Sequence, residues 1–470
     1  MHTLVFYNVM IYNSLFFLVV FPVVFIVYYL AVSVASSEKR KNIGNICLLV
    51  VSYIVLAHES VASCLWMLYV TAVSFFGAIY IERHKVSVML SVTFTLLPLV
   101  ILKYTGFVSD ILGDIGLSTG RCSLVVPVGI SFFTLQAIGY VVDVWSKKIE
   151  AERSWLDHSL FVAFFPQIVA GPISRYSELM PQIKSCRQFN SRYAVEGLRM
   201  LLWGMFLKVV IADRLALYVD SSIEGLESSD GSSMLFMMFM YSLQIYFDFL
   251  GYSLMALGTA RLMGFRLPDN FRRPYLALSV TDFWHRWHMS LSRWLRDYVY
   301  IPLGGNRKGR WRCYANIVVT FLVSGLWHGA NYTFVIWGLL HGLLQCVEKL
   351  VGLNKGVEGR HIVNAARRLA TFAVVSMLWV IFRMPTVSDV WLVFEKIFSC
   401  TSWHLVLPEK YVLALLLVAV AKDVIDEYCP YYAPWHHCKP IVRWTAYTLV
   451  AVAIVLFGVF DSGQFIYAKF

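Results

Sequence analysis

The sequence predicts an all-α polytopic membrane protein, with about twelve spanning helices and additional re-entrant and in-plane helices around a central tunnel. Three observations lead there. Of 470 residues, 59% are hydrophobic and only 15% charged, whereas soluble domains average roughly 25% charged and 45–50% apolar. The apolar residues run long, over stretches such as Leu15–Val34 and, with Arg443 as its one charge near the start, Ile441–Phe460, and about 20 apolar residues carry a helix across the hydrocarbon core. The period-two alternation of membrane barrels is absent, and helices or closed barrels are the only spanning solutions. A soluble enzyme, a disordered chain and a disulfide scaffold are thereby excluded, because so much apolar surface cannot be hidden in a water-soluble fold.

Taken in order, the loops set the sidedness, since Lys and Arg collect on the cytoplasmic side. The first run, Leu15 to Val34, ends at Glu38-Lys39-Arg40-Lys41, so that end lies inside and the N-terminus outside. His58-Glu59-Ser60 is outside, Arg83-His84-Lys85 inside, Asp110–Arg121 outside and Lys147-Lys148 inside. Asp220–Asp230 has four acids and no Lys or Arg, hence outside. Arg261–Arg273, Arg307–Arg312 and Lys349–Arg368 are inside. Met384–Lys410 is expected outside, Lys422–Arg443 inside and Phe470 outside. The net charge of +11 is explained by these loops facing anionic headgroups, not by nucleic acid. The nine cysteines are scattered, without a Cys-x-x-Cys pair, and read as small hydrophobes. No cleaved signal peptide is expected.

Two apolar stretches break the alternation, being flanked by basic loops on both sides. Leu156–Pro172 carries Phe-Phe-Pro-Gln-Ile-Val-Ala-Gly-Pro, whose prolines and glycine resist a continuous helix. It reads as re-entrant, and such backbone must line a cavity or be buried in protein. Ser279–Leu303 places Trp284, Trp287, Leu291, Trp294 and Tyr298 at helical spacing. Asp282, Arg286, Arg293, Arg296 and Asp297 lie mostly off that stripe, which reads as an indole-anchored helix lying in the inner interface. The chain is expected to be one multi-pass domain over residues 1–470.

Ionisable groups inside spans cost about 2.5–3.5 kcal/mol at mid-helix and therefore face protein or water. His328, in Trp327-His328-Gly329, falls between expected helices 313–327 and 332–348. It lies about 16 residues, or roughly 24 Å, above the inner loop, deep and toward the outer half. It is either a histidine satisfied by a neighbouring carbonyl or a general base reached by two substrates from opposite sides. His288, in Trp284-His285-Arg286-Trp287-His288, is either a core histidine under indoles or a group near a donor arriving from the cytoplasm. His285 and His288 are spaced to share a metal, but no third ligand follows at a recognised spacing, so no metal is expected. Lys208, Asp213, Arg214, Gln244 and Asp248 are either internal ion pairs or the wall of a hydrated tunnel. His436-His437-Cys438 lacks any supporting module. Walker, His-Glu-x-x-His and Gly-x-Ser-x-Gly motifs are absent.

Six segments, in order and spacing, resemble the membrane-bound O-acyltransferase family, specifically its bacterial alginate O-acetyltransferase branch. They are Phe164–Pro172, Gly204–Asp213, Tyr241–Tyr252, Asp282–Ser290, Trp294–Pro302 and Gly325–Asn331, spanning an expected acyltransferase core at 159–342. The resemblance implies an enzyme moving an acyl group, acetyl above all, from a cytoplasmic thioester to an extracytoplasmic hydroxyl. It implies acetyl-CoA as donor substrate and no bound cofactor. A partner protein outside and a polysaccharide would receive the group, in a bacterial cytoplasmic membrane. The family's near-invariant histidine matches His328 and its second histidine His288, which are the expected catalytic pair. Trp287, Asn331, Asp248, Gln244, Lys208, Gln167, Asp282, Arg293 and Asp297 are expected along the substrate and donor tunnel. The related D-alanyl transfer from a carrier-protein thioester is the alternative donor chemistry. A transporter with a polar tunnel and a secretion scaffold are the non-enzymatic alternatives; the transporter would be expected to show internal repeats, and none is evident.

Overall fold

The computed structural model describes residues 12, 14–84, 87–117, 126–168, 171–353, 361–399, 405–429 and 438–460. The chain ends, and with them both terminus placements, fall outside the described residues, as does His436-His437. Among the described residues every regular element is helical. Eight helices are long and apolar enough to cross a membrane, fewer than the twelve expected from loop charge. The difference comes from elements too short or too polar. Helix Ile130–Trp145 has 16 residues, and Lys410–Tyr428 ends in Lys422, Asp423, Asp426 and Glu427.

The chain divides into two compact units. The first comprises residues up to Leu201 and Tyr252–Pro268. It holds α1 (Leu15–Val34), α2 (Arg40–Glu59), α3 (Val61–His84), α4 (Val88–Asp114), α5 (Ile130–Trp145), α6 (Trp155–Ala163), α7 (Phe165–Ile168) and α8 (Tyr176–Lys184). The expected re-entrant stretch is here two short helices. Phe164, with extended backbone between α6 and α7, breaks them, and Ser159 through Ile168 is buried. Residues 169–170 lie outside the described residues. Asp157 anchors α6 to α2 by accepting from Lys41 Nζ at 3.0 Å and Asn45 Nδ2 at 2.9 Å.

The second unit comprises Leu202–Gly251 and most of the chain from Asp269 onward. Helix α9 (Ser191–Met205), whose residues up to Leu201 are counted in the first unit, continues into a π-helical turn, Phe206–Ala212, and then into α10 (Asp213–Glu224). The long α11 (Gly231–Leu262) follows, its residues from Tyr252 counted in the first unit. Then come α12 (Val280–Arg286), α13 (Met289–Leu295) and a second π turn, Arg296–Tyr300. The expected single in-plane helix is thus broken at Trp287-His288. His288 adopts left-handed backbone, φ +41, a region that costs a non-glycine residue of order 1–3 kcal/mol. Asn270 holds the break: its carbonyl accepts from Met289 N at 2.9 Å and its side chain from Ser290 Oγ at 2.6 Å. Both π turns coincide with charged motif residues, where such turns often mark function.

Helices α14 (Arg310–His328) and α15 (Tyr332–Val351) form an antiparallel hairpin, within a few residues of expectation. The Asn331 side chain caps α15 by accepting from Thr333 N. Gly325 and Gly338 face each other with Cα atoms close enough that a Cβ on either would meet the other helix's backbone. Small residues at such crossings let membrane helices pack tightly. The unit is completed by α16 (His361–Arg383), α17 (Val387–Ser399), α18 (Lys410–Tyr428) and α19 (Pro440–Phe457).

Candidate active site

The site is built around the last turn of α14 and the break between α12 and α13. His328 is 2% exposed and His288 fully buried. Trp327 joins them. Its ring centroid lies 5.9 Å from that of His288 and 4.8 Å from that of His328. His288 also meets Phe249 edge-on at 4.8 Å. His328 packs against Trp337 at 5.2 Å and Phe382 at 5.3 Å. The two histidines singled out in the sequence therefore share one indole, although 40 residues separate them in sequence. His288 lies outside the spanning helices, and burial pushes its imidazole down to about 3, so it is neutral at physiological pH.

Trp287 is fully buried and roofs the same aromatic group, 5.0 Å from Phe271 and 4.9 Å from Trp379. Beside this group opens a cavity of about 530 Å³, lined among others by Trp284, His285, Arg293, Arg296, Gln345 and Lys349. Its wall is basic. Of these cations, Arg296 is paired with Asp297 at 2.8 Å. The exposed His285 belongs to this wall and not to the buried pair.

Other expected tunnel residues have local partners of their own. Lys208, on the first π turn, donates to Asp213 at 2.7 Å and Asp248 at 2.6 Å, all three within 2% exposure. The structure thus brings three singled-out residues into one buried ionic cluster. Gln244 lies one turn before Asp248 on α11, and its Oε1 has no partner among the described residues. Asp282 sits in the first turn of α12, accepting from Leu278 N at 3.0 Å and pairing with Arg286 at 2.9 Å. Arg286 continues to Glu427 at 2.8 Å. Asn331 donates to the Pro385 carbonyl at 2.8 Å besides capping α15. Arg214 donates to the Phe457 carbonyl at 2.9 Å. Gln167 belongs to the first unit, where its amide donates to Pro172 O at 2.7 Å and to Ser174.

Sequence reasoning missed His341, Trp337 and Lys349. His341 is fully buried in α15, and the signal that singled out His328, an ionisable group inside an apolar span, was present for it as well. Among the described residues no cluster of three or more His, Cys, Asp or Glu is placed to hold a metal ion.

Apolar spanning helices around buried imidazoles, with a basic cavity alongside, define an integral membrane protein with an internal polar site. The sequence pattern of the membrane-bound O-acyltransferase family matches residues 151–385. A probable alginate O-acetylase of Pseudomonas aeruginosa is 37% identical over 409 residues, covering 84% of this chain and 76% of that protein. A peptidoglycan O-acetyltransferase of Helicobacter pylori is 40% identical over 286 residues, covering 55% and 54%. A teichoic acid D-alanyltransferase of Bacillus subtilis is 28% identical over 232 residues, covering 47% and 59%. The chain belongs to the membrane-bound O-acyltransferase family and is a membrane O-acyltransferase.

Proposed function

We propose that this enzyme moves an acetyl group from acetyl-CoA, supplied by the cytoplasm, to a hydroxyl outside a bacterial cytoplasmic membrane. An exopolysaccharide is the final acceptor, reached through a partner acetyl-transfer protein. The observation that carries this reading is the pair His288 and His328 on one buried indole beside a basic cavity. Arg293, Arg296 and Lys349 in the cavity wall suit a phosphate-bearing donor.

In this mechanism His328 takes the acceptor hydroxyl proton as the oxygen attacks the thioester carbonyl. The new ester C–O bond forms and the C–S bond breaks. The departing thiolate then receives the proton from His328, so no ATP and no covalent enzyme intermediate is required. A neutral His288 lies on the donor side. A base of this kind contributes on the order of 10²–10⁴ in rate, and positioning both substrates in a water-poor site supplies more. The similarity to teichoic acid D-alanyltransferases supports a second reading, with a D-alanyl carrier-protein thioester as donor.

Purified His328→Ala, in detergent and eluting like the wild type, is expected to lose thiol release from acetyl-CoA and polymer acetylation by about 10²-fold or more. Full retained activity would sink the general-base assignment. Wild-type turnover of a D-alanyl carrier protein but not acetyl-CoA would establish the second reading instead.

A further inference from the structure

His341 lies one helical turn beyond Trp337 on α15. Its Nδ1 accepts from the Trp284 indole N–H at 3.1 Å. An indole nitrogen can only donate, so the His341 proton resides on Nε2. That Nε2–H is fully buried and has no hydrogen-bond partner among the described residues. A buried donor left unsatisfied costs about 1–3 kcal/mol, which calls for an explanation. The Trp337 ring, 4.8 Å away at 74°, offers at best a weak contact.

The neighbours of this imidazole indicate its use. Trp284 and Phe321, both ring neighbours of His341, line the basic cavity. So does Gln345, one turn further along the same helix face, and Lys349 one turn beyond that. On its other side His341 shares the Trp337 ring with His328, at 4.8 and 5.2 Å. His341 therefore sits behind the Trp284 and Phe321 wall of the cavity, and through Trp337 on α15 it neighbours His328 at the end of α14.

We propose that His341 is a further catalytic residue, whose Nε2–H donates to the carbonyl oxygen of the donor thioester and stabilises the negative charge that develops there. This rests on the acyl-transfer reading above. The proposal needs no change in His341 protonation: a neutral imidazole locked by Trp284 is a preorganised donor, and such donors act most strongly where water is excluded. The oxygen of the attacking hydroxyl forms its bond to the same carbon while His328 holds the proton; as the carbonyl re-forms, the C–S bond breaks and the departing thiolate takes that proton from His328. His341 releases none.

The test compares wild type, His328→Ala, His341→Phe, His341→Gln and Trp284→Phe in lipid nanodiscs, with acetyl-CoA and a hydroxylated oligosaccharide. His341→Phe fills the space without a donor, and His341→Gln carries an N–H at the same reach. The expected result is a kcat loss of about 10²-fold for His341→Phe, as for other donors of this kind, with KM for acetyl-CoA nearly unchanged. His341→Gln is expected to recover at least about tenfold of that loss, and Trp284→Phe to lower kcat several-fold by freeing the tautomer. A folded His341→Phe with wild-type kcat, while His328→Ala is inactive, overturns the role of His341 alone. Folded Phe and Gln variants that are equally inactive assign His341 to packing. If His341→Phe fails to fold, Gln and Trp284→Phe variants both at wild-type kcat also overturn the proposal. A wild type inert toward acetyl-CoA and a D-alanyl carrier sinks the acyl-transfer reading and this one together.

Discussion

Lys208 carries a full charge in a place where water does not reach, and it is tolerable only because Asp213 and Asp248 stand 2.7 and 2.6 Å away. Lys208→Met leaves two buried carboxylates facing each other. It is expected to destabilise by about 3–5 kcal/mol, read as lost unfolding stability in detergent, and Lys208→Arg by less. Glu152 shows the same balance with the charges reversed, outside the spanning helices. Burial raises its carboxyl, but the Lys184 ammonium at 2.7 Å and the Tyr176 hydroxyl at 2.6 Å outweigh it and hold it at about 2, against an ordinary 4.5. Protons therefore bind the unfolded chain more readily. The stabilisation is complete above pH 4.5 and drains away as pH falls from there toward 2. Wild-type Tm is expected to fall more steeply than that of Glu152→Gln between pH 5 and pH 3; parallel curves would contradict the pairing. Both residues illustrate what a sequence conceals. A lone charge in an apolar run announces that a partner exists, as Lys208 did, but not which carboxylate supplies it.

At the scale of elements, the α14–α15 hairpin was readable to within a few residues because Gly329 and the Asn331 cap interrupt two apolar runs. The glycine contact between the two helices depends on both at once and so was not. Gly338→Val should force the helices apart against Phe321's carbonyl, costing about 1–3 kcal/mol and lowering Tm. An unchanged Tm would mean that the crossing is looser than described. The Ser279–Leu303 stripe put Trp284 and Trp287 together, but as interfacial anchors, whereas both are buried against protein rings; the break was not legible either, because periodicity reports side chains and not backbone sign. His288→Asn, which tolerates left-handed φ, should keep the fold and lose donor use. A misfolded His288→Asn would instead assign the imidazole to the core.

At the scale of the whole molecule, composition alone identified the solvent as lipid, and the six segments identified the family. The number of crossings was less legible, because loop charge counts sides whereas a span must also satisfy length and polarity. Sidedness remains testable independently of that number. A single cysteine replacing the exposed Lys308 is expected to react with a membrane-impermeant maleimide only after the inner face is opened. Reaction in intact cells would invert the orientation proposed for the Arg307–Arg312 loop and for the donor side. His341 stood in an apolar run as visibly as His328 did, but its Trp284 bond and the cavity beyond are not local in sequence.

The indoles around the two histidines have an optical consequence. Trp287, Trp379, Trp337 and Trp284 succeed one another at ring separations of 4.9, 5.7 and 5.6 Å, and Trp327 touches both His288 and His328. Excitation absorbed by one of these indoles migrates among them before it is emitted. Tryptophan emission is therefore expected to shift when acetyl-CoA enters the cavity lined by Trp284, and a smaller shift in Trp284→Phe would place the change in this group among the fifteen tryptophans.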